Sequence, residues 1–311
     1  MDENCLLEIP SGLDTCEVKC GRKKISLTNL QKVFWPELGK TKRDLLLYYG
    51  SISDVLLAHL EERAMVMKRY PNGIDGKFFF MKRTPSYRPS WLPTCSIAHR
   101  SGSVIDFPMV NDLAGLLWIV NLGCIDLNPW YARCDDTNLP DFLHFDLDPV
   151  PPADFTQVRE VALVVRGYLK NREVDSYAKT TGSRGIHVYI PIQRKPTQKQ
   201  VWQVAKATAI ELAKQYPEII TSEYRVALRP PGRVLVDYNQ NAWGRTLASV
   251  YSVRPKPEAT VSAPVTWEEI EKGISMHELT MDTVPERVRR LGDLFQPVLR
   301  SRARCRIEQL Q

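Results

Sequence analysis

The stretch FLHFDLDPV, residues 142–150, alternates apolar and polar side chains, the period of a β-strand with one buried face. Its polar members are His144, Asp146 and Asp148, so the strand aims an imidazole and two carboxylates one way while Leu143, Phe145 and Leu147 take the core. Carboxylates this close repel unless a cation or a shared proton lies between them, and a hard divalent ion with oxygen ligands resolves the repulsion. A third carboxylate, Asp237, ends the apolar strand VLVD (234–237), where a buried strand would aim it at the same place. Three such aspartates suit one or two Mg²⁺ or Mn²⁺ ions acting on phosphate oxygens. A DxD on a strand is also compatible with plain surface alternation, and the pattern alone does not decide.

A second stretch, KTTGSRGIHVYI (179–190), runs from a lysine through a turn into another strand. Gly182 and Gly185 allow close backbone approach, Thr181 and Ser183 offer hydroxyls, and Arg184 supplies cationic donors, which together suit a polyphosphate. The GxxxxGK[ST] spacing of a Walker A loop is absent. An ordinary hairpin turn with a solvent-facing arginine remains the alternative. His187 fits either a phosphate contact or an inward, satisfied histidine.

Around these stretches, strands and helices intermingle without strict βαβ order, which predicts an α+β fold. KISL (24–27), AMVMKRY and KFFFMKR read as strands, the last two joined by a turn at PNGIDG. Thr41 with Asp44 opens one helix running through to LAHLEE, and NDLAGLLWIVNLG, residues 155–170 and QKQVWQVAKATAIELAKQY are further helices. TWEE (266–269) opens another, and a basic helical tail follows from about Glu286.

The chain has 311 residues, of which 43% are hydrophobic, enough for a sizeable core, and no apolar run long enough for a membrane span. The acidic start MDENCLLEIPSGLD lacks the layout of a signal peptide. Seven cysteines, scattered and without a CxxC pair, argue against a disulfide framework and a zinc site, and so for a cytoplasmic protein. The net charge of +6 is unevenly spread: residues 19–100 hold 16 Lys+Arg against 6 Asp+Glu. Such a cluster is either a solvated surface or a face for the phosphates of a nucleic acid.

LTNLQKVFWP, KRYPNGIDGKFFFMK, HFDLDP, KTTGSRGIHVYIP, VDYNQN and YSVR occur in that order. From about residue 22 to the 290s the chain thereby resembles the polymerase domain of bacterial ligase D, within the archaeo-eukaryotic primase superfamily, in its stand-alone form. The resemblance implies a primase-like catalytic core over 111–300 and a basic DNA-engaging lobe over 22–110, with an extension over 1–21 and a tail over 301–311; 22–300 form one compact unit.

It further implies that Asp146, Asp148 and Asp237 bind two Mn²⁺ or Mg²⁺ ions. His144, Thr181, Ser183, Arg184, His187, Arg229, Arg254 and Asn128 would hold the nucleotide. Asn29, Lys32 and Lys42 would grip a 5′-phosphate across a DNA gap, and Lys68, Phe79 and Phe80 would meet the DNA end and template. Lys42 lies in the first turn of its helix, where free N–H groups favour an anion. At least one phenylalanine of FFF is expected in the core, and alternation turns Phe79 away from Phe78 and Phe80.

Three departures stand out: TTGSRG where TSGSKG is usual, Asn128 where a histidine is usual before Pro-Trp, and one residue more after Arg229. The implied activity is template-directed nucleotidyl transfer filling short gaps at broken DNA in non-homologous end joining, with a preference for ribonucleotides. NTPs or dNTPs and 5′-phosphorylated gaps, overhangs or ends are the implied partners, with Ku and a separate ligase, near the nucleoid. A metal-dependent phosphoesterase or nuclease and a non-catalytic DNA-end binding module are the alternatives.

Overall fold

The computed structural model describes residues 8–99, 102–300 and 304–310; Cys5, the first half of the acidic start and part of the 301–311 tail lie outside the described residues. A hairpin of β1 (Cys16–Cys20) and β2 (Lys23–Leu27) comes first. The second strand contains the expected KISL, whereas β1 has only Val18 buried and carried too weak a pattern to be read. After β3 (Val33–Trp35) and β4 (Lys40–Thr41), Thr41 and Asp44 close a reciprocal capping box that starts α1 (Lys42–Ser51).

The single helix expected here breaks at Ile52, and α2 (Ser53–Leu60) follows. Hydroxyls explain the break: Ser51 Oγ donates to the Tyr48 carbonyl and Ser53 Oγ to that of Gly50, competing with the helical ladder.

Next come β5 (Met65–Arg69), β6 (Phe79–Met81) and the hairpin of β7 (Thr94–Ala98) with β8 (Val104–Pro108). α3 (Leu113–Asn121) starts on an Asp112 cap, and the chain turns back at Gly123 with φ +79° into β9 (Cys124–Pro129). Strands β6, β5 and β9 form a three-stranded antiparallel sheet.

The FLHFDLDP strand, β10 (Phe142–Pro149), is an inner strand of a larger sheet. It is followed by α4 (Phe155–Lys170), β11 (Tyr177–Thr180), β12 (Ile186–Pro191), α5 (Gln198–Gln215), β13 (Ile220–Thr221), β14 (Val234–Asp237), β15 (Pro264–Val265), α6 (Trp267–Lys272) and α7 (Val284–Leu291). The six strands lie in the order β13-β14-β10-β12-β11-β15, all neighbours antiparallel except β13 and β14. This is an α+β fold. α4 and α5 pack against β10 and its neighbours, and Leu143, Phe145, Leu147, Ile186, Val188 and Val236 are fully buried.

One hydrophobic core runs from Ile9 to Leu310 and includes residues of both the 22–110 and the 111–300 segments. The expectation about cysteines needs correcting, because Cys95 and Cys134 form a disulfide with Cα atoms 5.8 Å apart. Their separation of 39 positions along the chain hides the pairing. Tertiary contacts create it: Ala64 bridges Met109, Met109 N–H donates to the Pro93 carbonyl, and Cys134 N–H donates to the Glu62 carbonyl.

Candidate active site

Strand register builds the site. Asp146 on β10 stands opposite Asp237 of β14 on one side and opposite His187 of β12 on the other. His187 in turn stands opposite Lys179 of β11. Asp237, Asp146, His187 and Lys179 thus form one polar row across four strands, and Asp148 projects two residues farther along the same face as Asp146.

Burial sets the charge states in this row. Asp146 is pushed up to about 6, with Lys179, Arg254 and Arg184 pulling the other way. Asp148 is also raised to about 6, by burial and then by the charge of Asp146. Asp237 is raised by burial and by both of the others. Asp146 Oδ1 is buried without a hydrogen-bond partner; His187 Nε2 lies 3.2 Å away, in contact but off the line of a good hydrogen bond.

Hard oxygen donors, mutual repulsion and an orphaned carboxylate oxygen fit a divalent cation. Among the described residues, no three such side chains yet close on one point. The reason lies in their present partners. Arg184 Nε donates to Asp148 at 3.4 Å, and Asp237 accepts from Asn239 N–H at 2.7 Å and from Gln240 at 3.2 Å.

A second row faces this one across a cleft of about 410 Å³. On the small sheet Phe80, Lys68 and Asp126 are cross-strand partners. Lys68 Nζ lies 4.3 Å from the centre of the Phe78 ring and 3.9 Å from Asp126 Oδ2, and Arg254 Nε lies 3.6 Å from that same oxygen. Asn128 stands two residues along β9 and also lines the cleft.

The FFF expectation is corrected: Phe78, Phe79 and Phe80 are 51%, 45% and 57% exposed, so none is core. Alternation does hold. Phe78 and Phe80 meet edge to face beside Lys68, whereas Phe79 lies over Arg69 at 5.1 Å. The bulge in this sheet lies between Lys68 and Arg69 where β5 pairs with β9, so Phe79 and Phe80 stay on opposite faces.

At the turn between β11 and β12, the N–H groups of Ser183, Arg184 and Gly185 all donate to Thr181 Oγ1, at 3.2, 3.2 and 3.0 Å. Thr181 thereby occupies its own backbone nest. The groups left to meet an anion are the Ser183 hydroxyl and the Arg184 and Arg254 guanidiniums, all lining the cleft with Thr181 and His187.

Asn29, Lys32 and Lys42 gather elsewhere. Asn29 adopts φ +53°, Lys32 N–H donates to the Asn29 carbonyl, and Lys42 N–H donates to the Lys32 carbonyl. Lys32 Nζ is held by Asn72 and Lys42 Nζ by the Thr28 carbonyl, both at 2.6 Å. Burial, then the charge of Lys32, lowers Lys42 to about 8.

Two expected nucleotide contacts fall outside the cleft lining. His144 is fully buried, its ring 4.2 Å from that of Tyr131 and stacked on Tyr189 at 5.4 Å, so it offers nothing to a ligand there. Its cross-strand partner is Tyr189. Arg229 donates to the Glu223 and Tyr224 carbonyls at 3.1 and 3.0 Å, although its charge still reaches Asp148. Lys179 and Asp126 escaped sequence reasoning. Period-two spacing from Thr181 and from Asn128 was the available signal.

Residues 41–295 match the family model described as the LigD primase-polymerase domain. The chain belongs to that family. The primase-polymerase is 34% identical over 278 residues to the multifunctional non-homologous end joining protein LigD of Mycolicibacterium smegmatis, covering 89% of this chain and 36% of that protein. It is 29% identical over 273 residues to the bifunctional non-homologous end joining protein LigD of Bacillus subtilis, covering 88% and 44%. It therefore spans less than half the length of these relatives.

The polymerase domain from Mycobacterium tuberculosis ligase D in complex with DNA superposes with a TM-score of 0.83 at 32% identity, covering 88% of this chain and 98% of that one. The primase-polymerase accordingly has the fold and enzyme class of a DNA-directed nucleotidyltransferase, in a family that depends on metal. No helix of its described residues is long and apolar enough to cross a membrane.

Proposed function

We propose that this primase-polymerase extends a primer across short, 5′-phosphorylated gaps at DNA breaks, preferring ribonucleotides and using two Mn²⁺ or Mg²⁺ ions held by Asp146, Asp148 and Asp237. One observation carries this reading: Asp146, Asp148 and the cationic turn share a single cleft with the Phe80–Lys68–Asp126 row, and Asp237 stands opposite Asp146 on the neighbouring strand. A base, its triphosphate and a reacting 3′-hydroxyl need those three surfaces at once.

The chain's own groups divide the work. Phe80, with Lys68 beside it, offers a face on which a template base stacks. Arg184, Arg254 and Ser183 donate to the triphosphate, and Arg184 releases Asp148 as it turns toward the phosphates. Asn128 approaches the sugar. Bound divalent ions supply a lowered pKa for the primer hydroxyl and charge neutralisation on the leaving pyrophosphate. Alignment and charge stabilisation are then the protein's contribution to rate.

Asn29, Lys32 and Lys42, within the basic 22–110 segment, grip the downstream 5′-phosphate, and Phe79, packed on Arg69, meets the DNA end. The names of the LigD relatives support a place in non-homologous end joining; Ku and a DNA ligase are the partners proposed with it, at the nucleoid. Primer extension on a phosphorylated gap, comparing rNTP with dNTP and Mg²⁺ with Mn²⁺, tests this. Addition of one or a few ribonucleotides in Mn²⁺ is expected; a shortened primer would mean a nuclease instead.

A further inference from the structure

The polar row of the large sheet ends in a lysine with no evident reason to be there. Lys179 is fully buried, and its ammonium nitrogen has three neighbours: the Ala248 carbonyl at 2.9 Å, Ser262 Oγ at 2.6 Å and His187 Nδ1 at 2.6 Å. A carbonyl can only accept. Ser262 spends its own proton on the Thr180 carbonyl at 2.8 Å, so its oxygen also accepts from the lysine. Burial, then Arg254, lowers Lys179 well below the usual lysine range, while Asp146 and Asp126 oppose this; as an ammonium it has a third N–H for His187 Nδ1, which leaves that nitrogen bare.

A neutral imidazole with a bare Nδ1 carries its proton on Nε2. That nitrogen is the one 3.2 Å from the orphaned Asp146 Oδ1. The reverse assignment, an uncharged amine accepting from Nδ1–H, would turn the Nε2 lone pair onto a carboxylate, acceptor against acceptor. A buried ammonium is costly, and a methionine would fill the same space without that cost.

We propose that Lys179 is a positioning residue that locks His187 in its Nε2–H form, so that the cleft always meets a fixed neutral donor beside Asp146. That the donor serves a triphosphate oxygen rests on the function proposed above; the tautomer itself does not.

The test is ¹⁵N NMR of the histidine rings in the metal-free full chain at neutral pH. The chain has five histidines, and His187→Gln identifies the signal of interest. Wild type should show the Nε2–H tautomer, and Lys179→Met should lose that preference. In primer extension, Lys179→Met should raise KM for the nucleotide about tenfold with kcat changed far less, and should add little on top of His187→Gln.

An Nδ1–H tautomer in wild type would overturn the proposal, and that measurement stands even if Lys179→Met fails to fold. So would an unchanged tautomer in a folded Lys179→Met. An Nε2–H signal in a wild-type chain that extends no primer would fault the proposed function and leave the role of Lys179 intact.

Discussion

Asp146 and Asp237 stand directly opposite each other on adjacent antiparallel strands, their carboxylates buried on one face. Cross-strand pairs hold their Cβ atoms about 4.5–5.5 Å apart, and like charges so placed destabilise a sheet. The fold carries this cost, and adds Asp148 to it, in a place where a cation would reverse the sign.

Without metal, the aspartates should weaken the protein as the pH rises. Asp148 has an ordinary value of 3.8 and is raised to about 6 in the fold, so the folded state holds its proton longer than the unfolded one. Stability is full below the unfolded value and is lost as the pH climbs to about 6. Asp148→Asn should therefore stabilise the metal-free chain by about 1–2 kcal/mol at neutral pH and hardly at all near pH 4, as read by denaturant melts. Equal effects at both pH values would count against the buried repulsion.

The Lys32–Lys42 cluster should discriminate by phosphate. Lys32→Ala with Lys42→Ala should weaken binding about tenfold or more to gaps bearing a 5′-phosphate, and much less to unphosphorylated gaps. Because Lys42 lies near 8, that preference should fade as the pH rises through this value and the ammonium loses its proton. Fluorescence anisotropy on paired substrates reads both effects, and equal loss on the two gaps would refute the pocket.

Phe80 should matter to DNA and not to folding. It is 57% exposed, so Phe80→Ala should leave stability within about 0.5 kcal/mol while costing about 1–3 kcal/mol of primer–template binding. A large drop in melting temperature would show a packing role instead.

The turn glycines should tolerate nothing larger. A Cβ on Gly185 would overlap the Leu147 carbonyl, and Gly182 combines φ +61° with a Cβ position 2.8 Å from the Val261 carbonyl carbon. Gly185→Ala should destabilise by about 1–3 kcal/mol, because the backbone of the central strand must shift to admit it. Thermal melts of the folded variant check this.

Much of this arrangement was legible in the sequence, because strand alternation and capping are local. FLHFDLDP gave its inward and outward faces correctly, and the Thr41–Asp44, Thr266–Glu269 and residue 155–170 boundaries appear as expected. Register was not legible. Nothing in the spacing says that Asp146 pairs with His187 and Asp237, or that Lys179 completes the row, because those partners are set by tertiary packing. The Cys95–Cys134 bond and the break at Ile52 escaped for related reasons: one depends on distant strands, the other on hydroxyls competing for particular carbonyls. The exposed phenylalanines ran against hydrophobicity, and their exposure marks them as a working surface.

Calorimetric titration of Mn²⁺ into the wild-type chain and into Asp146→Ala tests the central claim most directly. Saturable binding in wild type that falls at least tenfold in the variant, together with loss of primer extension, is the predicted result. Equal Mn²⁺ affinity in the two chains would contradict it.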